Sequence, residues 1–306
     1  HMLFDTVRRS FVGLDLLDQA ARRIRAHPIG TVRIAARGPF HHRAALALLA
    51  AHAIPGAERV DGATYRRVLA IAGRPAVVSI TFDAGGVSVG ADRLPDELAT
   101  TVASIRRWLD LDTDPAAVAR TLGGDPLIGP LVARRPGLRL IGHPDEFEAV
   151  ATTVIGQQVS LAAARTFAGR LVDAHGTPCA DLRAFPGAPT LARLGPEALR
   201  ACIGLTRARA RTLHEVARRW ADGPVLRGRS AADARALLLG IPGVGPWTAD
   251  YLLVRALQHP DTFVAGDLVA RRALGLDRAG AEERAGAWAP HRAYALVHLW
   301  TEAAYL

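Results

Sequence analysis

The chain contains no lysine: all 38 of its basic residues are arginine, against 29 aspartates and glutamates. No side chain therefore offers a primary amine for Schiff-base chemistry, and only the N-terminal amine could stand in. Cysteine is nearly absent as well. Cys179 and Cys202 are the only two, too few for a four-cysteine iron–sulfur site or a disulfide framework, and they read as reduced thiols. The 11 histidines are scattered, His41-His42 included, and none has zinc-ligand spacing. Neither the Walker phosphate-binding pattern nor the zinc-deaminase signature HxE…PCxxC is present. No apolar run reaches the length of a bilayer span. The opening LFDTVRRSFVGLDLLDQAARRIRAHP lacks the apolar core and cleavage site of an export signal, so a cytoplasmic location is expected. His1-Met2 reads as a cloning remnant.

What is present points to a polyanion. The net charge is +9 and the pI near 10.9, a balance that attracts nucleic acid. With 306 residues, half of them hydrophobic, the chain can bury one large or two modest cores. Two textures divide it. TVRIAAR, RRVLAIAG, AVVSITF and GVSVG, within residues 31–91, place β-branched residues between Gly and Pro turns and predict antiparallel strands, with HRAALALLAAHAI as a helix among them. From about Asp96 onward, Ala/Leu/Arg helices alternate with Gly and Pro breaks. The fold class is α+β: an N-terminal sheet-and-helix domain over 1–92 and an all-α region over 93–306.

The most informative stretch is LLGIPGVGPWTADYLLVRAL followed by HPDTFVAGDLVARRAL. Ile241 and Val244 anchor a tight turn around Pro242, Gly243 and Gly245, and the glycines allow close backbone approach. Pro246 suits the first position of a helix. The amides at such a helix start favour an anion, and this loop suits a backbone phosphate better than a triphosphate. An ordinary helix connection would use the same residue types. Asp267 lies between apolar neighbours after Gly266, where it can serve as a helix N-cap, as a catalytic carboxylate, or as both.

Ile241-Pro242-Gly243-Val244-Gly245, then Trp247-Thr248-Ala249, then Asp267 resemble the helix–hairpin–helix DNA glycosylase superfamily. IGQQVS (Ile155 to Ser160) and YALVHLW (Tyr294 to Trp300) narrow the likeness to its alkylation-repair branch, the DNA-3-methyladenine glycosylase II family. PGLRLIGHPDEFEAVATTVIGQQVSLAAA and GLTRARARTL extend the likeness over most of residues 32–302. The implied fold is a helix–hairpin–helix glycosylase core of two helical lobes with the base pocket between them, preceded by the sheet domain. The implied catalytic residue is Asp267, whose carboxylate would stabilise positive charge developing on the deoxyribose and orient or deprotonate the attacking water. Trp247, Tyr251 and Trp300, with Gln157, would form the base pocket, their electron-rich rings facing a cationic alkylated base. Core packing is the competing role for Tyr251.

For DNA contact the resemblance implies Gly243, Val244, Gly245 and Thr248 of the hairpin, Gln158 and Ser160 of the loop that fills the gap left by a flipped nucleotide, and Arg272. Relatives carry a leucine where Gln158 stands, an acidic residue at Gly266 and a tyrosine at Thr301. In the superfamily, hairpin carbonyls hold a structural monovalent cation, and Leu239, Ile241 and Val244 occupy the matching positions. Trp247 stands where strand-cutting relatives place their Schiff-base lysine, so a monofunctional enzyme without iron–sulfur cluster or required cofactor is expected. Its substrate would be double-stranded DNA carrying 3-methyladenine and 7-methylguanine, met by a monomer at the bacterial nucleoid. Two alternatives stand beside this reading: a glycosylase for uracil, hypoxanthine or another lesion, and a non-catalytic helix–hairpin–helix DNA binder. Such domains sometimes follow a methyltransferase module.

Overall fold

The computed structural model describes residues 30–71, 73–91 and 98–304; the expected sheet domain's residues 1–29, 72 and 92 lie outside the described residues. Five antiparallel strands, β1 (Gly30–Ala35), β2 (Glu58–Asp61), β3 (Thr64–Ile71), β4 (Arg74–Asp83) and β5 (Gly86–Ala91), lie in the order β1-β5-β4-β3-β2. A two-residue turn sets Asp83 opposite Gly86. In the resulting register Val78, Ile80 and Phe82 point into the core while Ser79, Thr81 and Asp83 point away. Helix α1 (His42–His52) covers this face with Ala45 and Leu49, and α2 (Leu98–Trp108) adds Ile105 and Trp108. The sheet's core therefore continues past the change of texture near residue 92.

The helical part comprises α3 (Pro115–Leu122), α4 (Ile128–Arg134), α5 (Glu146–Ile155) and α6 (Leu161–His175). A short hairpin, β6 (Thr177–Cys179) with β7 (Leu182–Ala184), then precedes α7 (Ala188–Ile203), α8 (Arg207–Arg219), α9 (Ala231–Leu239) and α10 (Pro246–Arg255). Helices α11 (Leu268–Leu274), α12 (Arg278–Ala285) and α13 (Arg292–Ala304) complete it. The helix starts are written into the sequence, because Asp145, Ser160, Thr206, Ser230, Asp267 and Asp277 each accept an amide of the first turn.

Two cores result. One joins α5, α7, α8, α9 and α10 around Val150, Leu213, Leu238 and Leu252. The other joins α3, α4, α11, α12 and α13 around Leu122, Trp288 and Leu296. Helix α10 belongs to both, with Leu252 and Leu253 in the first and Val254 in the second, and so carries its N-terminal residues into the seam between lobes. Buried Glu146 ties the first lobe together by accepting the Trp220 indole (2.7 Å) and the amides of Val225, Leu226 and Arg227. Among the described residues, no helix is long and apolar enough to cross a membrane.

Candidate active site

The hairpin between α9 and α10 is built by its glycines. Gly243 has φ +89°, and a Cβ there would collide with the Thr212 hydroxyl, so only glycine fits both the turn and the packing. The Val244 amide closes the turn onto the Ile241 carbonyl (3.0 Å), and the Ala249 amide starts α10 on the Gly245 carbonyl (3.0 Å). The amides of Gly245, Trp247 and Thr248 precede that first intrahelical bond, which is the arrangement that receives an anion. Val244 is buried beneath the turn, whereas Gly243 and Gly245 are exposed. Three side chains hold the turn from behind: Arg219 donates to the Gly240 carbonyl (3.1 Å), Thr212 to that of Pro242 (2.8 Å) and Gln157 to that of Gly243 (3.0 Å). The other three carbonyls of the segment, those of Leu239, Ile241 and Val244, take no side-chain donor among the described residues.

Helix α10 carries Trp247 and Tyr251 one turn apart, with ring centroids 5.0 Å apart and planes 12° from parallel. Trp300 on α13 closes against Tyr251 at 5.8 Å and 54°. These three rings line a cavity of about 470 Å³. Asp267 stands in its wall, 7% exposed. Both of its carboxylate oxygens are fixed: Oδ1 accepts the Trp300 indole N–H (3.0 Å) and the Ala270 amide (3.0 Å), and Oδ2 accepts the Trp247 indole N–H (3.3 Å). Asp267 is thus an N-cap and a site carboxylate at once. Three donors from three helices set its orientation before any ligand arrives. Trp247 remains 38% exposed, leaving a ring face available at the cavity mouth.

The remaining predicted residues separate by role. Gln157 stands beside the cavity-lining Gly156 and braces the hairpin, its side-chain amide donating to the Gly243 carbonyl and to Thr248 Oγ1 (3.2 Å). Thr248 is buried by that contact. Gln158 is exposed with φ +57°, an unusual backbone state for a side-chain-bearing residue. Exposed Ser160 caps α6 through the Ala163 amide (3.2 Å). Arg272 is exposed in the last turn of α11. A side chain at Gly266 would rest 3.7 Å from Trp247, and Thr301 is buried in the cavity wall beneath Trp300. Val269, Val297 and Leu161 also line the cavity and Thr212 braces the hairpin, four residues that the sequence does not mark. Nothing in their local pattern sets them apart from helix-face residues.

Comparison with known proteins agrees with this geometry. The profile described as "AlkA N-terminal domain" matches residues 31–145 and that of the "HhH-GPD superfamily base excision DNA repair protein" matches residues 151–285. Fold and site together define a helix–hairpin–helix base-excision repair protein. The chain is 32% identical over 274 residues to DNA-3-methyladenine glycosylase 2 of Escherichia coli strain K12, covering 86% of this chain and 94% of that protein. It belongs to that glycosylase family. It is also 38% identical over 317 residues to the "Probable bifunctional transcriptional activator/DNA repair enzyme AlkA" of Mycobacterium tuberculosis, and there it covers 97% of this chain but 63% of the relative's length. The solved 3-methyladenine DNA-glycosylase from Archaeoglobus fulgidus shares the fold, with a TM-score of 0.76 at 23% identity over 89% of this chain and 97% of that one.

Proposed function

We propose that the protein excises alkylated purines, 3-methyladenine and 7-methylguanine, from double-stranded DNA by hydrolysing the N-glycosidic bond of a flipped nucleotide. The observation that carries this reading is the Asp267 carboxylate, held by two indole N–H groups and an amide in the wall of a three-ring aromatic cavity. A carboxylate ~4 Å from charge developing on the sugar stabilises it by about 4 kcal/mol at an effective dielectric of ~20. The alkylated base is already cationic and departs readily, so the stacked faces of Trp247 and Tyr251 supply attraction rather than acid catalysis. The hairpin amides hold a phosphate of the DNA backbone, and exposed Gln158 fills the vacated place in the stack.

Without lysine, the product is an abasic site in an intact strand. The protein works as a monomer in the cytoplasm on nucleoid DNA. A monovalent cation has the carbonyls of Leu239, Ile241 and Val244 as its candidate ligands, none of which takes a side-chain donor among the described residues, although that of Ile241 also accepts the Val244 amide; bound there, it would stiffen the hairpin. The test is base release from methylated duplex DNA with strand breaks scored before and after alkali. Free alkylpurine, with breaks only after alkali, is the expected result. Breaks without alkali contradict monofunctional action, and binding without release points to another lesion or to a pure DNA binder.

A further inference from the structure

We infer that Glu58, His143 and Glu148 form a divalent metal site, selective for Zn²⁺ by ligand type, where the sheet meets α5. Glu58 opens β2, Glu148 lies in the first turn of α5 and His143 precedes that helix. Their candidate ligand atoms all lie within 4.8 Å of one another.

The lone pairs face each other. His143 Nδ1 lies 2.7 Å from the Asp145 carbonyl and 3.2 Å from the Asp145 amide; with the ring hydrogen assigned to the shorter contact, Nε2 is left as an acceptor. Nε2 faces Glu148 Oε1 at 3.7 Å, beyond hydrogen-bond reach. Glu148 is 4% exposed, and Oε1 is buried with no donor among the described residues. Two buried acceptors facing each other need a proton or a metal cation between them. Their separation is close to the ~3.4 Å edge of a tetrahedron with metal bonds of ~2.1 Å. Arg67 bonds Glu58 at 3.0 Å and Glu148 at 2.5 Å, so one guanidinium meets two carboxylates and leaves one negative charge within this triad; Arg255 adds positive charge near His143, and Glu58 also accepts the Ile54 amide (2.9 Å). Imidazole with carboxylates favours zinc over magnesium or calcium. Glu58 and His143 also line the cavity, which supplies an entry path and a water for the fourth position. A proton on Glu148 is the competing occupant. The metal would pin the sheet to the helical core.

The full chain, stripped with a chelator and dialysed, is titrated with Zn²⁺ by calorimetry, and its thermal midpoint is measured with and without the ion. One Zn²⁺ per chain and a raised midpoint are expected, with affinity weakened by about 100-fold or more in Glu148→Gln and in His143→Ala. His143→Ala leaves the Arg67 ion pairs intact, so it reports even if Glu148→Gln folds poorly. No uptake by the parent, as when a proton fills the gap, overturns the site, and so does equal uptake by both variants. Neither readout depends on base excision.

Discussion

At the scale of the residue, the proposed chemistry rests on Asp267 and its indole donors. Trp247→Phe and Trp300→Phe each keep an aromatic ring while removing one N–H to the carboxylate. A hydrogen bond to a charged group contributes about 1.5–3 kcal/mol, so each variant is expected to slow base release roughly 10–100-fold with little change in DNA affinity. Single-turnover rates beside binding isotherms check this; unchanged rates would remove the indoles from the account. The place of Asp267 at a helix start was legible in the sequence because its flanks and its spacing from the hairpin are local. The hydrogen bonds of Gln157 were not. A glutamine in a loop points equally well into a pocket or onto a neighbouring carbonyl, and only the fold, which brings residue 157 beside residue 243, decides.

At the scale of the element, the hairpin is held from α8 and from the loop before α6. Gly243→Ala puts a methyl group into the Thr212 hydroxyl and strains a φ of +89°, and weaker DNA binding is expected, measured by fluorescence anisotropy with undamaged duplex. Elsewhere the start of α4 depends on Asp125. Burial would raise its carboxyl, but the Ile128 amide, the Trp288 indole, Arg284 and the Leu127 amide outweigh that and pull it down to about 2. Because the folded value lies below the unfolded one, this contribution is fully present above about pH 4 and is lost as pH falls toward 2. Asp125→Asn is therefore expected to lower stability by about 1–3 kcal/mol at neutral pH and to flatten the acid limb of a urea-denaturation series. The helices and longer strands were readable from caps and β-branched runs. Strand β2 and the β6–β7 hairpin were not, because four- and three-residue strands with polar, partly exposed sequences take their order from neighbours rather than from their own pattern.

At the scale of the whole molecule, the sheet and the helical core are joined by a buried ion triad, Glu58–Arg67–Glu148. Arg67→Met leaves two carboxylates buried without their partner, and a loss of about 3–5 kcal/mol is expected in chemical denaturation. The triad was invisible in the sequence, since its members are separated by up to 90 positions and each looks like an ordinary surface charge. The arginine excess was visible, and it predicts affinity for duplex DNA that falls steeply and log-linearly with salt.

Asp267 is proposed to perform chemistry beyond its capping role. Asparagine caps a helix about as well as aspartate, so Asp267→Asn separates the two. We would measure single-turnover release of 3-methyladenine from duplex DNA by both proteins, with thermal stability recorded on the same samples. The expected result is a stability lowered by about 1–3 kcal/mol, as one indole N–H loses its acceptor, with the helix cap kept and a rate lower by roughly 1,000-fold in the variant; equal rates would contradict a chemical role.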